Sequence, residues 1–208
     1  MAGHRNFLWQ FLTNRDSVGA VAPSSRRLAR AITAPARACT GNRRWLEVGP
    51  GTGVFTHELI TAMHDGDHLD VVELNAAFCD HLRASVLPEA DGAAVLHEGS
   101  ILDVALGGDY DAMICGLPYN AFPTHVSRLI LRRLVSLLRP GGTLSFFEYA
   151  AIRHLRSATS SRGVKRAMQW HAQFIKRLEQ DMTGRRDLVM MNVPPAWAVH
   201  LTKESVSA

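Results

Sequence analysis

Over most of the chain, from Arg44 onward, short apolar runs alternate with longer segments that are apolar on one face only. The runs have the length of strands and the amphipathic segments the period of helices, so this pattern predicts βαβ units around a parallel sheet. The predicted strands are Trp45–Val48, His68–Glu73, Ala94–Glu98, Asp111–Cys115 and Thr143–Tyr149. The predicted helices are Val54–Met63, Ala76–Val86 and Thr124–Leu138, the last ended by Pro140-Gly141-Gly142.

The two ends of the chain show different patterns. Near the start, a short aromatic helix over Phe7–Leu12 precedes a second helix from Arg26 to about Ala34, which Ser24 or Ser25 can cap. Near the end, a basic helical pattern over Val164–Gln180 precedes two strands, Leu188–Met191 and Ala196–Leu201, joined through Pro194-Pro195. Two such strands after five alternating units predict an antiparallel hairpin beside the parallel sheet.

Together these elements predict a doubly wound, Rossmann-like α/β fold. Its sheet has seven mostly parallel strands and a C-terminal antiparallel hairpin, and a helical appendage precedes it. A length of 208 residues agrees with one hydrophobic core. We therefore divide the chain into residues 1–40, a helical lid or membrane anchor, and residues 41–208, the α/β domain.

Composition is that of a soluble globular protein, with 47% hydrophobic and 20% charged residues. The three cysteines form no Cys-x-x-Cys pair and are odd in number, which favours a reducing compartment. The sequence shows no signal-peptide pattern and no apolar run near the roughly 20 residues that cross a bilayer. We therefore expect a cytoplasmic protein.

Positive charge is concentrated in the first part of the chain. The net charge is only +4, but the first 44 residues contain eight arginines and one acidic residue, Asp16. This imbalance indicates an anionic partner, and an arginine-rich solvated face is the alternative explanation.

The most specific chemical signal is the loop Glu47-Val48-Gly49-Pro50-Gly51-Thr52-Gly53, between the first predicted strand and the next helix. Its glycines permit a tight turn and let a ligand approach the backbone closely. The spacing is Gly-x-Gly-x-Gly, whereas dinucleotide sites use Gly-x-Gly-x-x-Gly. Glu47 adds a negative charge that suits a ligand with a cationic methionine end, so the loop predicts an S-adenosylmethionine site.

Residues at the ends of the next strands fit the same ligand. Glu73 ends the second strand, where a carboxylate can accept hydrogen bonds from both ribose hydroxyls. The third strand leads into Gly99-Ser100-Ile101, where a polar side chain can bond the adenine amino group. The predicted cofactor residues are Ser24, Glu47, Gly49, Gly51, Thr52, Gly53, Glu73, Leu74, Gly99, Ser100, Ile101, Cys115 and Gly116.

The fourth strand ends in Cys115-Gly116-Leu117-Pro118-Tyr119. This loop resembles the Asn/Asp-Pro-Pro-Tyr and Asn-Leu-Pro-Tyr loops of methyltransferases that act on amino groups. In those enzymes the Asn or Asp side chain accepts a hydrogen bond from the target amine, whereas Gly116 offers only its backbone carbonyl. This loop is therefore less suited to bind a planar nucleobase amine.

Four segments carry a narrower resemblance. They are the run from Ser17 to Ser25 (Ser-Val-Gly-Ala-Val-Ala-Pro-Ser-Ser), the run from Leu46 to Thr56, Gly116-Leu117-Pro118, and Asn192-Val193-Pro194-Pro195-Ala196. Through them nearly the whole chain resembles the bacterial phospholipid N-methyltransferases, which convert phosphatidylethanolamine toward phosphatidylcholine. Relatives that act on ornithine lipids share this sequence pattern. Two residues of the present chain, Tyr119 and Ser100, depart from it. The resemblance implies S-adenosylmethionine as cofactor and a lipid amine as substrate.

The substrate is expected at the mouth of this site. Tyr119 is the first candidate for the catalytic residue, with Glu148 and His154 as other possible bases, and a ring of Tyr119, Phe122 or Tyr149 can hold a methylated ammonium by cation–π attraction. Arg153 and His154 can bind a lipid phosphate. The predicted substrate-binding residues are Tyr119, Tyr149, Arg153 and His154. The histidines lack metal-ligand spacing and methyl transfer needs no metal, so none is expected.

Residues 5–15 are the predicted contact with an anionic membrane surface. Phe7, Trp9 and Phe11, flanked by Arg5 and Arg15, have the composition of a reversible anchor, although this helix can instead cover the cofactor or pack in a dimer. The protein is thus expected to be cytoplasmic and peripherally membrane-associated. The alternatives are an RNA adenine dimethyltransferase, which Gly116 argues against, and an enzyme for a soluble amine; we expect no nucleic-acid partner.

Overall fold

One seven-stranded sheet organises the structure. The computed structural model describes residues 25–117, 122, 124–149, 173, 176 and 182–205. Its strands are β1 (Arg44–Val48), β2 (His68–Glu73), β3 (Ala94–Glu98), β4 (Tyr110–Cys115), β5 (Leu138–Tyr149), β6 (Met182–Val189) and β7 (Ala196–Lys203). They lie in the order β3-β2-β1-β4-β5-β7-β6. Strands β1 to β5 are parallel, and β7 is antiparallel to both β5 and β6, which confirms the predicted fold.

Helices cover both faces of the sheet. They are α1 (Arg26–Ala38), α2 (Val54–Ile60), α3 (Ala76–Ser85) and α4 (Thr124–Leu137), with a 3₁₀ turn at Leu87–Ala90. Leu46 and Val48 of β1 belong to the core beneath α4, whereas Trp45 belongs to the core beneath α1, α2 and α3. Because the central strands are buried on both faces, their sequences are nearly continuous apolar runs.

Helix α1 belongs to the main core. Its buried side chains include Leu28, Ile32 and Ala36, all fully inaccessible. The N-cap is Ser25, whose hydroxyl accepts a hydrogen bond from the backbone N–H of Leu28 at 3.2 Å. The helix continues through Pro35 to Ala38, four residues beyond the predicted end, because buried residues on both sides of the proline hold it against the sheet.

The predicted boundaries of the last strands were wrong. Strand β6 is Met182–Val189, whereas the sequence pattern predicted Leu188–Met191; Met190 and Met191 lie in the turn instead. The cause is that β6 is an edge strand with both faces largely exposed, so its polar residues show no alternation. Strand β5 begins at Leu138, directly after α4, and includes Pro140-Gly141-Gly142, so it starts five residues before the predicted Thr143.

Several predicted features lie outside the described residues. These are the aromatic helix, the membrane contact over residues 5–15 and most of the basic helical pattern near residue 170, of which Gln173 and Lys176 are described and helical. The anchor and the division of the chain at residue 40 stay predictions. Among the described helices, none is long and apolar enough to cross a membrane.

Candidate functional site

Three glycines leave the carboxyl edge of the sheet side by side. The backbone N–H of each donates to a carbonyl of the neighbouring strand and so extends the ladder by one residue beyond the strand end. These hydrogen bonds run from Gly49 to Val72 (2.9 Å), from Gly116 to Val48 (2.8 Å) and from Gly99 to Glu73 (2.7 Å). The loops that follow β1, β3 and β4 therefore begin at fixed positions around one point.

The three glycine positions after β1 differ in what a side chain would contact there. All have positive φ, +71° at Gly49, +58° at Gly51 and +83° at Gly53. A Cβ on Gly49 would lie 2.5 Å from Cδ2 of Leu117, and one on Gly53 would lie 3.0 Å from Cδ2 of Leu82. A Cβ on Gly51 would meet nothing within 4 Å. The protein itself fills the space beside Gly49 and Gly53, and only Gly51 borders open space.

Gly116 is excluded from carrying a side chain by the backbone opposite it. A Cβ at this position would collide with the carbonyl oxygen of Gly49, and that oxygen belongs to a loop fixed by its own ladder bond. This contact explains why the Asn or Asp of related amine-methylating loops is missing here. Its cause is packing between β1 and β4.

The Glu73 carboxylate joins two of the loops. It is buried and accepts hydrogen bonds from the backbone N–H groups of Gly51 (3.1 Å), Leu74 (2.8 Å) and Asn75 (2.8 Å). The two shorter bonds reach one oxygen, Oε1, and the other oxygen, Oε2, accepts from Gly51 alone. A carboxylate oxygen has room for a second donor, so Oε2 retains accepting capacity beside the glycine loop.

The Glu47 carboxyl is fully buried, and neither of its oxygens has a hydrogen-bond partner of normal geometry. Burial raises its pKa to about 8, and the nearby Glu73 charge adds to the shift. The hydroxyl and backbone amide of Thr56 face the carboxyl and oppose the shift, although neither completes a hydrogen bond. Because buried polar groups are usually paired, this carboxyl is a candidate ligand contact.

A small pocket, partly open to solvent, lies between these loops. Six predicted cofactor residues line it: Gly49, Glu73, Leu74, Gly99, Ser100 and Ile101. The sequence reasoning missed its apolar lining, which is Val48, Val72, Leu117 and Ile130. The first three stand next to predicted residues in sequence and could have been inferred. Ile130 belongs to α4, which follows β4 in the sequence, and no sequence motif around it indicates a pocket residue.

The remaining predicted cofactor residues do not line this pocket. Thr52 is exposed, Gly53 is the N-cap of α2 and Cys115 is fully buried beneath the edge of the sheet. Ser100 lines the pocket, but its hydroxyl accepts a hydrogen bond from the backbone N–H of Leu102 at 3.2 Å. The predicted residues outside the described part of the chain are Ser24, Tyr119, Arg153 and His154.

The aromatic candidates for the substrate lie on opposite faces of the sheet. Tyr149 is buried with α1 and α2, where its ring packs edge-to-face on Phe147 at 5.2 Å, and Phe147 packs on Phe55 at 6.2 Å. Phe122 is buried in the core beneath α4. Glu148, a candidate base, lies 3.4 Å from the guanidinium of Arg186. Tyr149 and Phe122 therefore cannot both face one ammonium.

Two of the segments that carry the family resemblance meet at the carboxyl edge. The buried Asn192 accepts a hydrogen bond on Oδ1 from the backbone N–H of Ser25 (3.0 Å) and donates through Nδ2 to the carbonyl of Pro194 (2.8 Å). Ala196, where β7 begins, pairs with Tyr149 at the end of β5. The start of α1 and the β6–β7 turn are thus tied together beside the site.

Within the described residues, no group of three or more His, Cys, Asp or Glu side chains is placed to hold a metal ion.

We expect Gly116→Asn to destabilise the fold instead of creating an amine-binding side chain. Because the new Cβ would collide with backbone, the free energy of unfolding should fall by about 2 kcal/mol or more. Urea unfolding measures this. The control is Gly107→Asn, where the nearest atom to a Cβ is the Arg44 guanidinium at 3.5 Å. Equal stability of the two variants would contradict the packing explanation.

We also expect the buried Glu47 to make stability depend on pH. Its pKa is about 8 in the folded protein, against 4.5 for a free glutamate, so folding takes up a proton between these values and rising pH destabilises the fold. Glu47→Gln should therefore gain stability relative to the wild type from pH 5 to pH 8, by on the order of 4 kcal/mol.

Urea unfolding at several pH values measures this difference. Glu204→Gln, which removes an exposed carboxyl, is the control and should keep the wild-type pH profile. A constant difference between Glu47→Gln and the wild type would mean that the Glu47 carboxyl is ionised throughout.

Comparison with known proteins agrees with this geometry. Residues 46–142 match a family described as "Methyltransferase domain". The ornithine lipid N-methyltransferase of Singulisphaera acidiphila is 28% identical over 145 residues, which are 67% of this chain and 74% of that protein.

Solved structures share the fold over nearly the whole chain. The N-methyltransferase NodS from Bradyrhizobium japonicum WM9, in complex with S-adenosyl-L-homocysteine, superposes with a TM-score of 0.60 at 14% identity, over 96% of this chain and 98% of NodS. An O-methyltransferase from Bacillus cereus, in complex with the same compound, gives 0.64 at 14% identity, over 95% and 91%. The matched domain assigns residues 46–142 to the methyltransferases, and the chain is an S-adenosylmethionine-dependent methyltransferase.

Proposed function

We propose that this methyltransferase acts on the head-group amine of a membrane lipid, with phosphatidylethanolamine and its partly methylated forms as the first candidates. The observation that carries the proposal is the hydrogen bond between Asn192 and Ser25. It joins the two segments whose sequences are most specific to the lipid N-methyltransferases that this chain resembles. The ornithine lipid N-methyltransferase among its relatives supports a lipid amine as the class of substrate.

Three features of the described residues fit S-adenosylmethionine. The open side of Gly51 lets a ligand lie against the backbone, and Glu73 retains an accepting oxygen for a ribose hydroxyl. The buried Glu47 carboxyl lacks a hydrogen-bond partner and suits a cationic ammonium group. In this proposal Glu47 attracts the methionine end, Glu73 binds the ribose, and Ser100 and Ile101 contact the adenine.

The bound cofactor supplies a methyl group on a positively charged sulfur. Transfer is an in-line displacement, so the chain must align the amine with the methyl group and exclude water. The apolar side chains of Val48, Leu117 and Ile130 make part of the pocket water-excluding. An amine with an ordinary pKa of about 10 must lose its proton before it attacks, and an apolar environment favours the neutral amine.

The base remains a proposal among three residues, with Tyr119 first. Glu148 lies 3.4 Å from the guanidinium of Arg186, so its carboxylate already has a partner in the protein. The backbone carbonyl of Gly116 is a possible acceptor for an amine N–H. We place Tyr119, Tyr149, Arg153 and His154 near the substrate because they stand at or shortly after the ends of β4 and β5 in the sequence.

Packing at Gly116 favours a lipid amine over the adenine of RNA. Enzymes with the related Asn-Leu-Pro-Tyr loop use the Asn side chain to accept a hydrogen bond from the planar amine. Here the Gly49 carbonyl occupies the place of the first side-chain atom. An aliphatic amine on a flexible head group does not need that flat, directed contact.

Gly51→Ala should lower the affinity for S-adenosylmethionine by about tenfold or more, because its methyl group would occupy the space that the cofactor needs. The matched control is Gly41→Ala, which also places alanine at a positive φ, +82°, with nothing within 4 Å of the Cβ. Both variants should lose similar stability, but only Gly51→Ala should lose affinity, measured by isothermal titration calorimetry. Equal affinities would place the cofactor elsewhere.

The substrate class is tested by incubating the protein and radiolabelled S-adenosylmethionine separately with phosphatidylethanolamine vesicles, ornithine-lipid vesicles, bulk RNA and small soluble amines. We expect label in a lipid fraction, and the fraction that takes it names the head group. Label only in RNA would favour the adenine enzymes, and label only in soluble amines would contradict a lipid substrate. Gly51→Ala, whose affinity for the cofactor is expected to be lower, serves as the control and should transfer less label.

A further inference from the structure

The turn between β6 and β7 presents apolar side chains to solvent. Met190 is 65% exposed, Met191 64% and Val193 81%, and Leu188 just before the turn is 43% exposed. Four of the six large apolar side chains that are exposed in the described part of the chain thus lie within six consecutive positions. Clustered exposure of this kind usually marks an interaction surface.

This turn is held in place by the protein beneath it. Asn192, between the exposed residues, is buried and bonds both the Ser25 amide (3.0 Å) and the Pro194 carbonyl (2.8 Å). The Arg27 guanidinium contacts the sulfur of Met191. The exposed side chains therefore project from a fixed turn that is tied to the start of α1.

Two arginines stand next to the apolar turn. Arg26 and Arg27 occupy the first turn of α1 and are exposed, and the helix contains no acidic residue. Positive charge at a helix N-terminus opposes the helix dipole, so these arginines do not serve helix stability. Among the described residues neither has a carboxylate partner, whereas Arg30 and Arg37 both lie near Glu58, at 3.5 and 3.6 Å. Their charge is available to an external anion.

The turn lies at the carboxyl edge of the sheet. Val189 and Ala196, which flank it, pair with each other, and Ala196 pairs with Tyr149 at the end of β5. Gly49 and Gly99, which begin the loops after β1 and β3, and Glu73, which ends β2, lie at the same edge. A flat partner that contacts the turn therefore faces the edge that contains the pocket.

We propose that the turn residues Met190, Met191 and Val193, together with Arg26 and Arg27, form a docking surface for an anionic lipid bilayer. Apolar side chains beside arginines are the combination that binds the interface of anionic membranes. A second copy of this chain fits less well, because a symmetric contact at this surface would bring the four arginines of two copies together. The proposal rests on the lipid substrate proposed above and adds the surface that presents it.

Insertion of the turn can be followed with an environment-sensitive dye. The dye is attached at Val193→Cys in a Cys39→Ser background, since Cys79 and Cys115 are buried. Vesicles of phosphatidylcholine and phosphatidylglycerol should shift its emission to the blue. The same dye at Leu129→Cys, 41% exposed on α4, should show no shift. No shift at position 193 while the protein sediments with the vesicles would overturn the proposal, as would a failure to bind anionic vesicles.

Paired variants test the energetic contribution of the surface. Met190→Ser with Val193→Ser, and separately Arg26→Gln with Arg27→Gln, should each weaken vesicle binding by about tenfold or more in flotation assays. Met191 is kept because it contacts Arg27. The controls are Val95→Ser with Leu129→Ser, two exposed apolar residues elsewhere, and Arg128→Gln with Arg132→Gln, two exposed arginines of α4; both should bind like the wild type.

Thermal unfolding confirms that the variants fold, and sedimentation velocity distinguishes a bilayer from a second copy. If Met190→Ser with Val193→Ser converts a dimer to a monomer and leaves vesicle binding unchanged, the proposal is overturned.

The vesicles contain no amine acceptor, so docking is measured apart from catalysis. Docking without methylation of any lipid would reject the proposed substrate and leave the docking surface intact. If the protein methylates detergent-dispersed lipid but neither paired variant weakens vesicle binding, the docking surface is rejected and the proposed substrate stands.

Discussion

The close approach between the backbones of Gly49 and Gly116 is the constraint on which the site depends. Strands β1 and β4 are neighbours in a parallel sheet, and their loops leave at the same edge. The ladder bonds from Gly49 and Gly116 hold the two loops so close that a side chain on Gly116 would meet a carbonyl oxygen. The position of the pocket and the missing amine-binding side chain both follow from this contact.

Two buried carboxyls near the carboxyl edge of the sheet are held in different ways. Glu73 accepts hydrogen bonds from three backbone amides and so joins the loops that follow β1 and β2. Glu47 is buried without hydrogen-bond partners, and its raised pKa shows that its charge is costly in the protein alone. A buried carboxyl without hydrogen-bond partners lowers stability wherever it must ionise, which makes Glu47 a candidate for an interaction with a ligand.

Helix α1 connects the core to the edge where ligands enter. Its apolar face is buried against the sheet, while its first turn carries two exposed arginines beside the β6–β7 turn. The Asn192–Ser25 hydrogen bond couples these two segments. The turn is therefore fixed to a helix that packs against β5 and β7, next to the end of the sheet that carries the pocket.

The sequence by itself determined the parallel part of the sheet and the position of the glycine loop. Strands β1, β2 and β4 are largely buried and mostly apolar, and the edge strand β3 keeps a short apolar run. The pattern therefore located β1 to β4 to within a residue, and Glu73 and Gly99 followed from the ends of β2 and β3. Tertiary structure decided what local sequence does not encode. The edge strand β6 begins six residues before the predicted Leu188 and leaves Met190 and Met191 in the turn. Packing from α4 brought Ile130 to the pocket, and Asn192 met Ser25 across 167 positions. Periodicity reports which face of an element is buried, whereas contacts between distant segments depend on how the elements pack.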